Sequence, residues 1–408
     1  MSSPFDRFSG LPEFPFRRLA ALLQGIEPKA GADVLDLTVG EPKHAPPLML
    51  GETVAAHGSD WNRYPPALGT DSFRQTVTSW LTRRYALSPG FVDPARNVLP
   101  LAGTKEGLFL LPSVLSGKAD AIALMPNPLY AVYAGAAALS GAEPVGLPAV
   151  AEHAFLPDLA TLDPAMLDRT TVFFLCSPAN PQGSIASRDY LARLLELARR
   201  HDFLFVSDEC YSEIYDDAAP TGALEVALEA GEGLKNLVVM HSLSKRSNAA
   251  GLRSGFVAGD SEIIARFARL RAYGGAVQPM PIMAAAERLW QDEAHVERNR
   301  ELYRRKIDLA ERRLGNRFGF YRPSGGFFLW LDVGDGEDAA LRLWREAALK
   351  VLPGRYLTFS SQGEAATLAG NGKTAVGEDP GRPYIRMALV HDEPIIDEAL
   401  TRLVDTLG

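Results

Sequence analysis

The segments TVFFLC (residues 171–176), SRDYLARLLELARRH (187–201) and LFVS (204–207) follow in order, with a ten-residue Pro/Gly-containing stretch between the first two. The outer two are short apolar runs rich in β-branched and aromatic residues, as buried strands require. In the middle one Leu191, Leu194, Leu195 and Ala198 recur on one helical face, Ser187 is placed to cap it and Asp189 sits in its first turn. Strand, crossover helix and strand make a parallel pair covered by the helix. The alternation continues over about residues 95–260, with further candidate strands at Ala121 to Met125, Leu237 to His241 and Gly255 to Ala258. It predicts an α/β fold with a mostly parallel central sheet and helices on both faces.

Beyond this region the pattern changes. Pro279 and Pro281 lead into one long charge-rich helix over Glu287 to Leu314, with i,i+4 pairs such as Glu301 with Arg305. A strand at Phe327 to Val333, a helix at Asp338 to Leu349, a strand at Tyr384 to Val390 and a helix at Pro394 to Leu407 suffice for a smaller α/β domain. Gly363 to Arg382 reads as a surface loop. At 408 residues the chain exceeds what one core organises, which agrees with two lobes.

Composition narrows the function. Apolar residues make up 47% and charged residues 23%, and 42 Lys plus Arg stand against 50 Asp plus Glu for a net charge of −8. An acidic chain is a poor electrostatic match to nucleic acid or an anionic membrane. Its two cysteines, Cys176 and Cys210, lie in apolar segments, which excludes a disulfide framework and points to the cytoplasm. Residues 1–10 lack an apolar signal region, and no run approaches the roughly 20 apolar residues of a membrane span. The seven histidines show no metal-binding spacing, so no metal is expected.

Candidate chemistry gathers at strand ends. Ser242-Leu243-Ser244-Lys245 follows the strand at 237–241, with Arg253 eight residues on. A lysine just past a buried strand loses solvation, its pKa falls, and the neutral amine becomes available for Schiff-base chemistry. Two hydroxyls and a guanidinium beside it can cradle a phosphate. Asp208 closes another strand, with Tyr211 three residues on, and a carboxylate there points into the crevice where open α/β sheets bind ligands. Asn180 lies in the Pro/Gly-rich turn after 171–176, Gly103-Thr104-Lys105 opens a helix, and Tyr130 stands at a further strand exit.

Read together, Gly40-Glu41-Pro42, Tyr64-Pro65, Gly103-Thr104, Tyr130, Asn180-Pro181, Asp208 with Tyr211, Ser242 to Lys245 with Arg253, and Tyr384-Ile385-Arg386 resemble, in order, the motifs of the class I/II, fold-type I aminotransferases that use pyridoxal 5'-phosphate. The runs at 40–44, 207–215, 242–248 and 351–355 are similar to the succinyldiaminopimelate aminotransferases of bacterial lysine biosynthesis. The resemblance implies that Lys245 carries the cofactor and moves the proton, that Asp208 holds the ring nitrogen protonated, and that Asn180 and Tyr211 bond the ring oxygen. Tyr130 would stack on the ring, while Thr104, Lys105 with Gly103, Ser242, Ser244 and Arg253 hold the phosphate. Arg386 would clamp the substrate α-carboxylate, helped by the Gly40 backbone and Asn180. Tyr64 resembles a tyrosine that reaches the neighbouring subunit's phosphate, which implies a homodimer with shared sites.

The implied domains are an N-terminal arm with part of the small domain (1–45), a large cofactor domain (46–285) and a small C-terminal domain (286–408). The implied reaction moves an amino group between N-succinyl-LL-2,6-diaminopimelate and 2-oxoglutarate/glutamate; an aspartate or aromatic aminotransferase, or a lyase of the same fold, shares these cofactor residues. Two departures stand out: the usual Asn-Asn-Pro is Ala179-Asn180-Pro181, and the 363–382 loop is long. Ser242 to Lys245 also fits the SxxK pattern of serine acyl enzymes, but Lys373-Thr374-Ala375 lacks the glycine of their KTG partner motif.

Overall fold

The computed structural model describes residues 11–115, 117–359 and 379–408. The first ten residues and positions 363–378 of the expected loop lie outside the described residues. Twelve strands are described: β1 (Leu35–Asp36), β2 (Val98–Leu101), β3 (Ile122–Asn127), β4 (Glu143–Pro148), β5 (Thr170–Cys176), β6 (Leu204–Asp208), β7 (Leu237–Ser242), β8 (Gly255–Gly259), β9 (Phe328–Asp332), β10 (Leu349–Lys350), β11 (Leu352–Pro353) and β12 (Tyr384–Ala388).

Seven of them form the central sheet in the order β2-β8-β7-β6-β5-β3-β4. The sheet is mostly parallel, but β8 runs antiparallel to both β2 and β7, which corrects the expectation that Gly255 to Ala258 continues the parallel set. The physical reason is the short connection: Lys245 to Ser254 holds no crossover helix long enough to return the chain for a parallel strand. Along β5 and β6, Phe173, Leu175 and Phe205 enter one apolar layer while Val172, Phe174, Leu204 and Val206 enter the other, so helices cover both faces. The helix Arg188–Arg200 forms as expected, with the Ser187 hydroxyl accepting the Tyr190 N–H at 3.2 Å.

The single long helix expected over Glu287 to Leu314 is instead two, Met280–Gln291 and Ala294–Leu314. Between them the Asp292 carboxylate accepts the His295 N–H at 3.0 Å, stopping one helix and starting the next. Arg305, expected to pair along this helix, donates instead to Glu393 at 2.7 Å. A second layer, β11-β12-β9 with the helices Gly336–Ala347 and Glu393–Leu407, encloses its own apolar cluster. The N-terminal segment joins it through β1, which pairs with β10.

Candidate active site

The parallel strands β3, β5, β6 and β7 all end at one edge of the sheet, so the segments that leave them meet in one place. There a cleft of about 480 Å³ opens between the sheet edge, the segment around Gly40 and the end of β12. Its walls include Gly40, Thr104, Lys105, Tyr130, Asn180, Asp208, Tyr211, Ser242, Ser244, Lys245, Arg253 and Arg386. Residues separated by more than three hundred positions thus converge as their spacing in the sequence could not itself show.

Lys245 lies on a one-turn helix, Leu243–Arg246, whose first turn is capped by the Ser242 hydroxyl at 3.1 Å from the Ser244 N–H. Its amine donates to the Gly40 carbonyl. Burial pushes that amine down to about 8, within reach of its neutral, nucleophilic form near physiological pH. The following residues are pinned from the helical region: Arg246 donates to the Leu289 carbonyl at 2.7 Å and to Glu293 at 2.7 Å, and Ser247 meets His295 at 2.8 Å.

Asp208 is buried at the end of β6. One carboxylate oxygen accepts the Tyr133 hydroxyl at 2.9 Å, the other the Cys210 thiol at 2.7 Å and the Cys210 N–H at 3.3 Å. Burial raises its pKa while these donors oppose the rise, so a cation placed beside it would hold it ionised. Tyr211, buried against Phe327 and Phe328, keeps its hydroxyl protonated because burial raises its pKa. Tyr130 stands edge-on to Tyr133 at 5.8 Å.

Arg386 is 4% exposed, yet has no carboxylate partner among the described residues. It donates to the Asn180 side-chain oxygen at 2.9 Å and the Thr38 carbonyl at 2.7 Å, its Nε is unpartnered, and the Phe328 ring lies 4.3 Å beneath. Burial lowers its pKa to about 10, which leaves it a cation at neutral pH. With its oxygen turned to Arg386, the Asn180 amide presents its NH₂ as a donor.

Ser242 and Ser244 share a hydrogen bond at 3.0 Å. Among the described residues Arg253 donates to the carbonyls of Ala250 and Ala102, at 2.8 and 3.3 Å, and Gln278 holds its backbone by donating to the Arg253 carbonyl at 2.7 Å. Gly103 contributes no wall of its own but backs Arg253: its φ is +83°, and a Cβ there would collide with the guanidinium. The Lys105 amine sits 5.4 Å over the Phe14 ring. Tyr64 is fully exposed and lies outside this chain's cleft.

Among the described residues the cleft therefore presents four basic side chains, Lys105, Lys245, Arg253 and Arg386, against one carboxylate, that of Asp208. That excess suits a ligand carrying a phosphate and a carboxylate together with one cationic ring nitrogen. Residues 32–375 match the aminotransferase class I and II family.

The chain belongs to the class I and II aminotransferases.

It is 32% identical to an LL-diaminopimelate aminotransferase of Desulforudis audaxviator, over 98% of this chain and 97% of that one. It is 33% identical to the 4-dedimethylamino-4-oxo-anhydrotetracycline transaminase OxyQ of Streptomyces rimosus, over 96% and 99%. The crystal structure of an aminotransferase from Neisseria meningitidis Z2491 superposes with a TM-score of 0.90 at 36% identity, covering 98% of this chain and 99% of that one. The fold is fold type I, the enzyme is an aminotransferase, and its cofactor is pyridoxal 5'-phosphate. The space kept open by Gly103 beside Arg253, the two serine hydroxyls, and the buried Asp208 all fit that group.

Sequence reasoning missed Tyr133, Cys210, Thr38 and Gln278. Tyr133 carried one usable signal, its place one helical turn after Tyr130. Thr38 and Gln278 act through a carbonyl and a backbone contact, which no motif advertises.

Proposed function

We propose that this aminotransferase moves an amino group reversibly between N-succinyl-LL-2,6-diaminopimelate and 2-oxoglutarate/glutamate, with glutamate as the donor when the reaction runs toward lysine. The chemical part of this reading is carried by one observation: a lysine amine brought down to about 8 and an unpaired, buried arginine face the same cleft. The donor part rests on the motif runs at 40–44, 207–215, 242–248 and 351–355.

In this reading pyridoxal 5'-phosphate supplies the electron sink when bound. Ser242, Ser244, Thr104, Lys105 and Arg253 hold its phosphate, with Gly103 leaving room. Asp208 holds a proton at the ring nitrogen, Asn180 and Tyr211 donate to the ring oxygen, and Tyr130 packs on the ring. Arg386 binds the donor's α-carboxylate, helped by Asn180 and the Gly40 backbone. Lys245 removes the Cα proton as a base and returns a proton as an acid.

The working unit we propose is a homodimer in the cytoplasm. The exposed Leu48, Trp61, Tyr64, Leu68 and Tyr273 support a second copy, which would receive Tyr64 at its phosphate end, and the two unpaired cysteines support a reducing compartment.

Free LL-diaminopimelate is the second reading, favoured by the relatives of that name. The two donors differ where one carries an ammonium and the other a neutral amide and a carboxylate. A site built to hydrogen-bond such groups rejects an analogue lacking them by roughly 10⁴-fold, far more than an apolar pocket would. The test is a panel of succinylated and free diaminopimelate, aspartate and phenylalanine, each with 2-oxoglutarate. The highest kcat/KM on the succinylated donor is expected. A best rate on free diaminopimelate moves the assignment to the second reading, and a best rate on aspartate or phenylalanine removes the lysine-pathway part.

A further inference from the structure

Behind the Lys245 peptide runs a chain of polar side chains to which the transamination chemistry above gives no task. Asn299, 4% exposed, donates from its amide nitrogen to the Lys245 carbonyl at 3.1 Å and to the Arg246 carbonyl at 3.4 Å. Its amide oxygen faces His44 Nδ1 at 3.3 Å, and Lys306 Nζ stands 2.7 Å from His44 Nε2. An ammonium can only donate, so His44 Nε2 accepts and Nδ1 carries the proton given to Asn299. His44 is therefore neutral here; burial foremost, then the Lys306 charge, lowers its pKa.

Lys306 is 1% exposed. Its other partner is the Leu389 carbonyl at 3.0 Å, and the Tyr303 ring lies 4.8 Å away. Asp392 and Glu393 act on it only from beyond ion-pair distance, and Arg305 opposes them. A buried cation without a carboxylate is costly to keep, so packing alone does not explain it.

The chain joins three pieces that surround the Lys245 amine. Asn299 holds the Lys245 peptide itself. His44 belongs to the segment whose Gly40 carbonyl receives that amine. Leu389 lies three residues beyond Arg386, just past the end of β12.

We propose that Lys306, His44 and Asn299 are positioning residues, a relay that holds the Lys245 peptide, the Gly40 segment and the Arg386 strand in fixed register. This rests on the reading of Lys245 as the reacting amine. The relay touches neither substrate nor cofactor; it sets the separation between the amine and the carboxylate clamp. Misplacement by about 1 Å can cost about 10²-fold in rate even when the change lies away from the chemistry.

Lys306→Met keeps the aliphatic stem and removes the buried charge together with the donor to His44 Nε2 and the Leu389 carbonyl. The holoenzyme of this variant should remain folded, hold KM for the amino donor within about twofold, and lose about 10- to 100-fold in kcat. Asn299→Ala should give the same split between KM and kcat, and it carries the test alone if Lys306→Met is less stable. The double variant should lose no more than the worse single one, because a single relay is interrupted twice. An unchanged kcat in a folded variant, or losses that multiply in the double variant, would overturn the relay. Borohydride reduction separates this from the underlying reading: a cofactor fixed to a lysine other than Lys245 in the unaltered protein would remove the reacting amine itself, which neither kinetic result can do.

Discussion

Lys245 and Lys306 form an instructive pair. Burial, the largest cause in both, brings each amine down from 10.5 to about 8. Their surroundings differ completely. Lys245 lines an open cleft beside hydroxyls, a guanidinium and a buried carboxylate, whereas Lys306 is sealed between His44, Tyr303 and the Leu389 carbonyl. A lowered pKa thus marks a desolvated amine, and reactivity needs access and a place for a ligand as well. In the proposed reading the same physical shift serves a nucleophile in one region and a scaffold in the other.

The contrast breaks if the two lysines prove exchangeable in experiment. Lys245→Ala should cost the most, about 10²- to 10⁴-fold or more in single-turnover transamination, because the proposed general base at Cα is lost. Lys306→Met stays at the smaller loss given above. Arg386→Ala should cost about 2–5 kcal/mol, roughly 30- to several thousand-fold in kcat/KM, if it is the carboxylate clamp proposed above. Every donor should suffer alike, as all carry the α-carboxylate, and a loss confined to one donor would show that Arg386 reads the side chain instead.

The pH dependences sharpen the comparison further. Attack on free cofactor requires the neutral Lys245 amine, so the rate of attachment to the apoprotein should rise about tenfold per unit up to about pH 8 and then level. Stopped-flow absorbance reads this directly, and Lys306→Met should leave the midpoint in place.

Lys306 should be visible in stability instead. Its folded pKa lies below the unfolded value of 10.5, so between about pH 8 and 10.5 the unfolded chain binds more protons and folding gains as pH rises. Denaturant unfolding of the unaltered protein should therefore gain up to about 1.4 kcal/mol per pH unit relative to Lys306→Met across that window. Equal slopes would place the Lys306 amine near its ordinary value.

The sequence made the Lys245 region legible because strand-end position, hydroxyls and Arg253 fall within a few residues of one another. The Lys306 region was hidden. Its helix is crowded with charges, and His295, Asn299 and Lys306 look like members of a solvated face although all three are buried. What buries them is tertiary: His295 meets Ser247, Asn299 the Lys245 peptide and His44, and Lys306 His44 and the Leu389 carbonyl. The two central-sheet strands that escaped the sequence reading, β2 and β4, are the two edges of that sheet. Each carries proline, Pro100 in one and Pro144 and Pro148 in the other, which an edge tolerates and a periodicity reading rejects. The antiparallel β8 was unreadable for a related reason, since strand direction depends on the connection and not on the strand's residues. Motif residues that line the cleft were found from their neighbours in sequence, whereas Thr38 and Gln278, which hold Arg386 and Arg253 in place, work from distant segments.

The difference between the two lysines is tested most directly by incubating the protein with pyridoxal 5'-phosphate, reducing with borohydride and mapping the labelled peptide. Label is expected on Lys245, with Lys306 unmodified even at pH 9, where both amines are largely neutral. Label on Lys306, or on any lysine in place of Lys245, would contradict the assignment of the reacting amine and with it the distinction between an accessible amine and a sealed one.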